Sequence, residues 1–143
     1  MKFRLQKLLD FASKQEELIK QELFKVRMEK KKIEEEIQKT VDYLKSLENE
    51  IFGKQINGLY LNMLLEIKNS GEKYIESLKD KLYEISLMEE KVLKNYLEKR
   101  KERKSLEKLK ERFKNKEYIE LQRKDIKNID EIAERKHFFG GEK

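Results

Sequence analysis

The sequence contains no cysteine, no proline and no tryptophan, and only five glycines in 143 residues. Without cysteine, neither a disulfide-stapled fold nor a thiolate zinc site can be built. At ordinary usage of roughly 5%, about seven prolines would be expected. Their absence, with so little glycine, removes the turn residues that a β-sandwich or barrel needs at roughly ten-residue intervals. His137 is the only histidine, so a histidine-paired nucleophile or a histidine metal centre lacks its parts. No run of about 18 apolar residues occurs, so no transmembrane segment is expected. The opening Met1-Lys2-Phe3-Arg4-Leu5 is followed by Gln6, Lys7 and Asp10 rather than an apolar stretch, which does not read as a secretory signal. The expected location is cytoplasmic.

What is present is charge. Asp, Glu, Lys and Arg make up 45% of the chain, against about 25% in an ordinary soluble domain. High charge with low hydropathy is also the composition of disorder. Two features oppose that reading: basic and acidic residues nearly cancel, 35 against 29, and the apolar residues are regularly spaced.

Stepping alternately four and three from Leu5 gives Leu5, Leu9, Ala12, Glu16, Ile19, Leu23, Val26, Lys30, Ile33, Ile37, Thr40, Leu44, Leu47 and Ile51. Most of these are apolar. A 3.5-residue period held this long is the pattern of a left-handed coiled coil. The intervening Glu, Lys and Gln are good helix formers. The period breaks at Gly53-Lys54-Gln55-Ile56-Asn57-Gly58, the densest turn signal in the chain. A second apolar stripe then runs to about Ala133. The expected fold is all-α: two long helices forming an antiparallel coiled-coil hairpin, the second longer and overhanging. Its expected bounds are helix 1 at about 3–52, a turn at 53–58, helix 2 at about 59–136 and a flexible tail at 137–143, in one domain.

A fold-back at 55–56 sets Ile51 near Tyr60, Leu47 near Leu64, Leu44 near Ile67, Thr40 at Gly71 and Ile37 near Tyr74. It also sets Ile33 near Leu78, Leu23 near Met88, Ile19 near Val92 and Leu5 near Leu106. Lys30 opposite Lys81 is a mismatch in this register unless both side chains snorkel outward. A rival turn lies at Asn69-Ser70-Gly71; the first is preferred because apolar spacing continues through Gly71, where one mid-helix glycine costs only about 1 kcal/mol. Helix 2 is expected to outrun its partner beyond Leu106 by about thirty residues, near 45 Å at helical rise. That stretch carries Ile119, Ile126, Ile129 and Ala133 at three-and-four spacing. An apolar stripe without an intramolecular partner frays or binds another protein.

Gly53 and Gly58 have the glycine spacing of a phosphate-binding loop, but Leu59-Tyr60 stands where that motif requires Lys and Ser/Thr. Carboxylates fall on solvated helix faces, so no catalytic residue, metal site or cofactor, and no small-molecule substrate, is expected. From Lys91 to Lys116 twelve Lys/Arg face four Glu, a local net charge of +8, leaving −2 for the rest of the +6 chain. Such a block attracts an acidic protein surface, a nucleic acid or an anionic membrane. Nucleic acid is disfavoured: apart from Tyr96 and Phe113 no aromatics interleave with the basic residues to stack on bases. A second candidate surface follows the turn, where Leu59, Tyr60, Leu61, Met63, Leu64, Leu65 and Ile67 exceed what a two-helix seam can bury.

Residues 1–10, Met-Lys-Phe-Arg-Leu-Gln-Lys-Leu-Leu-Asp, resemble the opening of the flagellar type III export protein FliJ family. The basic run Arg100-Lys101-Glu102-Arg103-Lys104-Ser105-Leu106-Glu107-Lys108-Leu109-Lys110-Glu111-Arg112 and the closing Asp130-Glu131-Ile132-Ala133 are also similar to that family's. This resemblance implies a non-enzymatic component of the bacterial flagellar protein export apparatus with a stalk-like antiparallel coiled coil. It implies binding to the hexameric export ATPase, promotion of that ATPase's assembly, and contact with the export gate membrane protein FlhA and with export chaperones. The implied place is the cytoplasmic face of the inner membrane, held peripherally at the flagellar base. The candidate ATPase-contact surface comprises Leu5, Leu8, Arg100, Arg103, Lys104, Lys108, Leu109, Arg112, Phe113, Ile126 and Ile129. The candidate export-gate surface comprises Leu59, Tyr60, Met63, Leu64, Ile67 and Tyr74; Gly71 departs from the larger residue usual in the family there. The alternatives are a generic structural coiled-coil scaffold, which leaves the uneven helices and basic block unexplained, and a basic helical nucleic-acid-binding arm, which leaves the apolar overhang unexplained.

Overall fold

A computed structural model describes residues 3–53 and 57–140, with side chains as far as Lys136. Among these residues there are two elements, α1 (Gln6–Gly53) and α2 (Gly58–Gly140), which pack against each other. Neither has a proline to break it, and the Lys, Glu and Leu that fill them favour helix. Asn57 starts α2: its side-chain oxygen accepts from the Leu59 backbone N–H at 3.4 Å and its carbonyl from Leu61 N–H at 2.9 Å, the role of an N-cap. Residues 54–56 of the expected turn and 141–143 of the expected tail lie outside the described residues, whereas 137–140 continue α2.

The chain divides into two compact units, Glu16–Glu98 and the pairing of Met1–Gln15 with Lys99–Lys143. In the first, two apolar clusters form where the helices meet. Leu44, Leu47 and Leu64 make one, with Ile51, Ile67 and Ile75 against it; Leu23, Val26 and Val92 make the other, with Ile19, Leu93 and Tyr96. Burying each such side chain contributes about 1.5–3 kcal/mol. Seam positions on α1 match the sequence pattern closely, and even Thr40 is satisfied there, its hydroxyl donating to the Glu36 carbonyl at 2.8 Å.

On α2 the register differs from the expectation by about one turn of helix. Leu44, in the cluster that Ile67 joins, also lies directly against Gly71, while Glu48 pairs with Lys68 at 2.9 Å. The inward residues of α2 are therefore Ile75, Leu82, Glu89 and Tyr96, whereas Tyr74, Lys81, Met88 and Asn95 are exposed. The physical reason lies at Gly71. A Cβ there would come within 2.7 Å of Leu44 Cδ2, so the glycine lets a full leucine into a layer that would otherwise be overfilled. It is neither a turn nor a mere helix weakness. The shift also removes the Lys30–Lys81 clash. Lys30 Nζ instead lies 3.2 Å from Glu89 Oε2, and Arg27 Nε lies 3.8 Å from Glu89 Oε1. Glu89 Oε2 is buried without an aligned hydrogen bond, so charge pairing is what offsets its desolvation. Polar groups at seam positions of this kind favour one register over its neighbours.

Candidate functional site

The second unit is built differently. Among the described residues, Leu9 and Ala12 are its buried apolar residues. Residues 99–117 of α2 carry ten Lys/Arg against four Glu. They turn Lys99, Arg103, Leu106, Lys110, Phe113 and Glu117 inward, in steps of four and three, and leave the rest exposed. Arg103 Nη1 reaches Glu107 at 2.8 Å and Lys99 reaches Glu102 at 3.6 Å; pairs this exposed contribute about 0–1 kcal/mol each.

The pairing with the N-terminal segment reaches further than the sequence implied. The expected limit was Leu106, but the Phe3 ring packs on Phe113 with centroids 5.6 Å apart and planes tilted by 50°. This is an aromatic pair worth about 0.5–1.5 kcal/mol beyond its buried area. Phe3 precedes α1 and is positioned by a turn in which its carbonyl accepts from Gln6 N–H at 3.1 Å. It stands outside the heptad, which is why periodicity missed it. Around the ring pair Arg4, Lys7, Lys110 and Lys114 edge an open groove of about 570 Å³. A second groove, about 500 Å³, is lined by Leu8 and Phe11 on one helix and Ser105 and Leu106 on the other. A two-helix pair thus carries open surface grooves along its seam.

From Tyr118 to Lys136 every residue of α2 is exposed. Ile126 and Ile129 are about 60% accessible, at 59% and 63%. Gln122 Nε2 donates to the Tyr118 hydroxyl at 2.9 Å. Of the sequence-derived ATPase-contact set, Leu8, Arg100, Lys104, Lys108, Leu109, Arg112, Ile126 and Ile129 face solvent, while Leu5, Arg103 and Phe113 turn into the seam. Both aromatics of the basic block are occupied within the protein, Tyr96 against the Leu23–Val26–Val92 cluster and Phe113 against Phe3. Neither is free to stack on a base.

The gate-contact set splits as well. Leu59 at 81% exposure, Tyr60, Met63 and Tyr74 are accessible. Leu64, at 3%, belongs to the core, and Ile67 packs against it. Tyr74 donates its hydroxyl to Glu36 Oε1 at 3.3 Å. Desolvation, then the Glu36 charge and this hydrogen bond, raise its pKa above the ordinary tyrosine value. Lys68 is raised likewise, chiefly by its hydrogen bond to Glu48 and then by that carboxylate's charge.

Among the described residues no cluster of three or more His, Cys, Asp or Glu could hold a metal, and no helix is long and apolar enough to cross a membrane. The side chain of His137 lies outside the described residues. A family model described as flagellar FliJ protein matches residues 1–142. No curated protein and no solved structure matches the chain.

Proposed function

Because the chain belongs to the flagellar FliJ protein family, we propose that it is a non-enzymatic component of the bacterial flagellar protein export apparatus, binding the hexameric export ATPase as a central stalk-like element. In this reading α1 and α2 form an antiparallel coiled coil, supported by contacts in which late α1 meets early α2 (Leu44–Gly71) and early α1 meets later α2 (Lys30–Glu89). The observation that carries the ATPase reading is the exposed apolar run of α2 after Glu117, following directly on the basic block. A scaffold has no use for such a run, and a nucleic-acid arm does not need it. The protein promotes assembly and turnover of the ATPase through this end of the chain. It engages the export gate FlhA through the exposed residues after Asn57, and it works with export chaperones at the cytoplasmic face of the inner membrane.

Co-sedimentation with the export ATPase, and ATP hydrolysis measured with and without the chain, test this. The expected result is a shift of the ATPase toward hexamer and faster hydrolysis. Unchanged oligomerisation and turnover would defeat it, and salt-sensitive binding to arbitrary DNA or RNA in their place would favour the nucleic-acid alternative.

A further inference from the structure

Within the unit that pairs the N-terminal segment with residues 99–140, α2 has one face turned to α1 and another directly opposite it. The inward face runs through Arg103, Leu106, Lys110, Phe113 and Glu117. Continued at the same spacing, it passes through Glu120, Lys124, Lys127, Glu131 and Glu134. Every one is charged, so the seam ends as an apolar surface at Glu117. The apolar stripe that follows is not a seam awaiting a missing helix.

The stripe lies on the outward face instead. Ile119, Ile126, Ile129 and Ala133 are exposed and step along the side opposite the seam; of the exposed aliphatics there, Leu121 and Ile132 fall toward the seam side. Traced back toward α1's partner region, the same outward face carries Lys101, Lys104, Lys108 and Arg112, all exposed. Asn115 and Gln122 keep the spacing unbroken between and within the two zones. One face of one helix thus reads cationic for about 17 Å and apolar for about 21 Å at helical rise.

We propose that this outward face docks the protein partner, and that the partner presents an acidic band followed by an apolar one. The inference rests on the ATPase reading above and assigns the surface that reading uses. Charge complementarity selects the acidic band, because Lys101, at the edge of the groove with Leu8 and Phe11, and Lys104, Lys108 and Arg112 make no ion pair among the described residues. A membrane surface is the poorer fit: a helix lying in the interface carries its cations along the flanks of the apolar stripe, whereas here the two zones follow one another along the axis. A second copy is poorer still. Parallel pairing would set cations on cations, and antiparallel pairing would set them on isoleucines.

The test is binding of the full chain to the export ATPase by calorimetry, with variants matched in charge and differing only in face. Lys108→Glu with Arg112→Glu changes the outward face; Lys114→Glu with Lys116→Glu makes the same change on its flanks. Ile126→Ser with Ile129→Ser is matched against Leu121→Ser with Ile132→Ser. All positions are exposed, so far-UV circular dichroism should be unchanged. The expected result is about tenfold or greater weakening by each outward pair and less than about threefold by each control. Equal weakening by outward and control variants overturns the proposal while leaving the functional reading intact. So does dimerisation through the stripe in sedimentation, or Ile126-dependent binding to phosphatidylserine-containing vesicles. A wild-type chain that fails to bind the ATPase overturns both together.

Discussion

Among the described residues, the unit Glu16–Glu98 holds seven of nine buried hydrophobic side chains, and the unit that pairs Met1–Gln15 with Lys99–Lys143 holds two, Leu9 and Ala12. The first closes its seam with leucine, valine and a glycine that admits a leucine. The second lines its seam with Lys99, Arg103 and Lys110 and keeps its isoleucines outside. The same heptad therefore supports two different uses of side-chain chemistry. Where the inward positions are apolar, they contribute stability. Where they alternate with charge and the outward face turns from cationic to apolar beyond Glu117, the surface is kept for something else.

The largest effect separating the two should come from core truncation. Leu23→Ala or Leu64→Ala should cost about 2–4 kcal/mol, while Leu9→Ala, in a seam flanked by charged positions, should cost about half as much. Urea unfolding followed by circular dichroism checks this; equal losses would erase the distinction between the units. A sharper probe is the Leu44–Gly71 layer. Gly71→Val should cost about 1–3 kcal/mol by overpacking. Gly71→Ala should be near neutral, because about 1 kcal/mol of helix propensity offsets the displacement of Leu44. A double-mutant cycle with Leu44→Ala should then show a coupling of about 1 kcal/mol, and its absence would remove the glycine's packing role.

The smallest effect is a pH dependence confined to the apolar-seamed unit. Lys68 and Tyr74 both have raised pKa values in the folded protein. A raised pKa means that the folded state holds its proton more tightly, so the contribution is complete below the unfolded value. It is lost as pH rises through the folded value. Thermal melts should decline slightly above about pH 10, and Lys68→Met with Tyr74→Phe should flatten that decline. A decline that persists in the double variant would place its origin elsewhere.

The two helices and the inward positions of α1 were legible because a 3.5-residue period survives charge, length and composition. Leu9, Ala12, Leu23, Val26, Leu44 and Leu47 are all buried where the period puts them. The register of α2 was not read correctly, although its signal was present. Ile75, Leu82 and Tyr96 are better seam residues than their neighbours Tyr74, Lys81 and Asn95, but pairing outward from an assumed fold-back point skipped them by one. Gly71 was misread because propensity counts what a glycine costs its own helix and not what it admits from the other. The outward stripe was visible as spacing in the sequence. Its face was not, since only the seam contacts reveal which side of α2 the N-terminal segment covers. Phe3 had no periodic signal at all.

The order of zones along α2 has a kinetic consequence. Cations act over roughly 8–10 Å at physiological salt, whereas isoleucines act only in contact. An acidic partner nearing this face is thus drawn in first by Lys101, Lys104, Lys108 and Arg112 and held afterwards by Ile119, Ile126 and Ile129. Arrival and residence are governed by separate side chains, so salt should slow association while leaving dissociation nearly unchanged, and loss of the isoleucines should do the reverse.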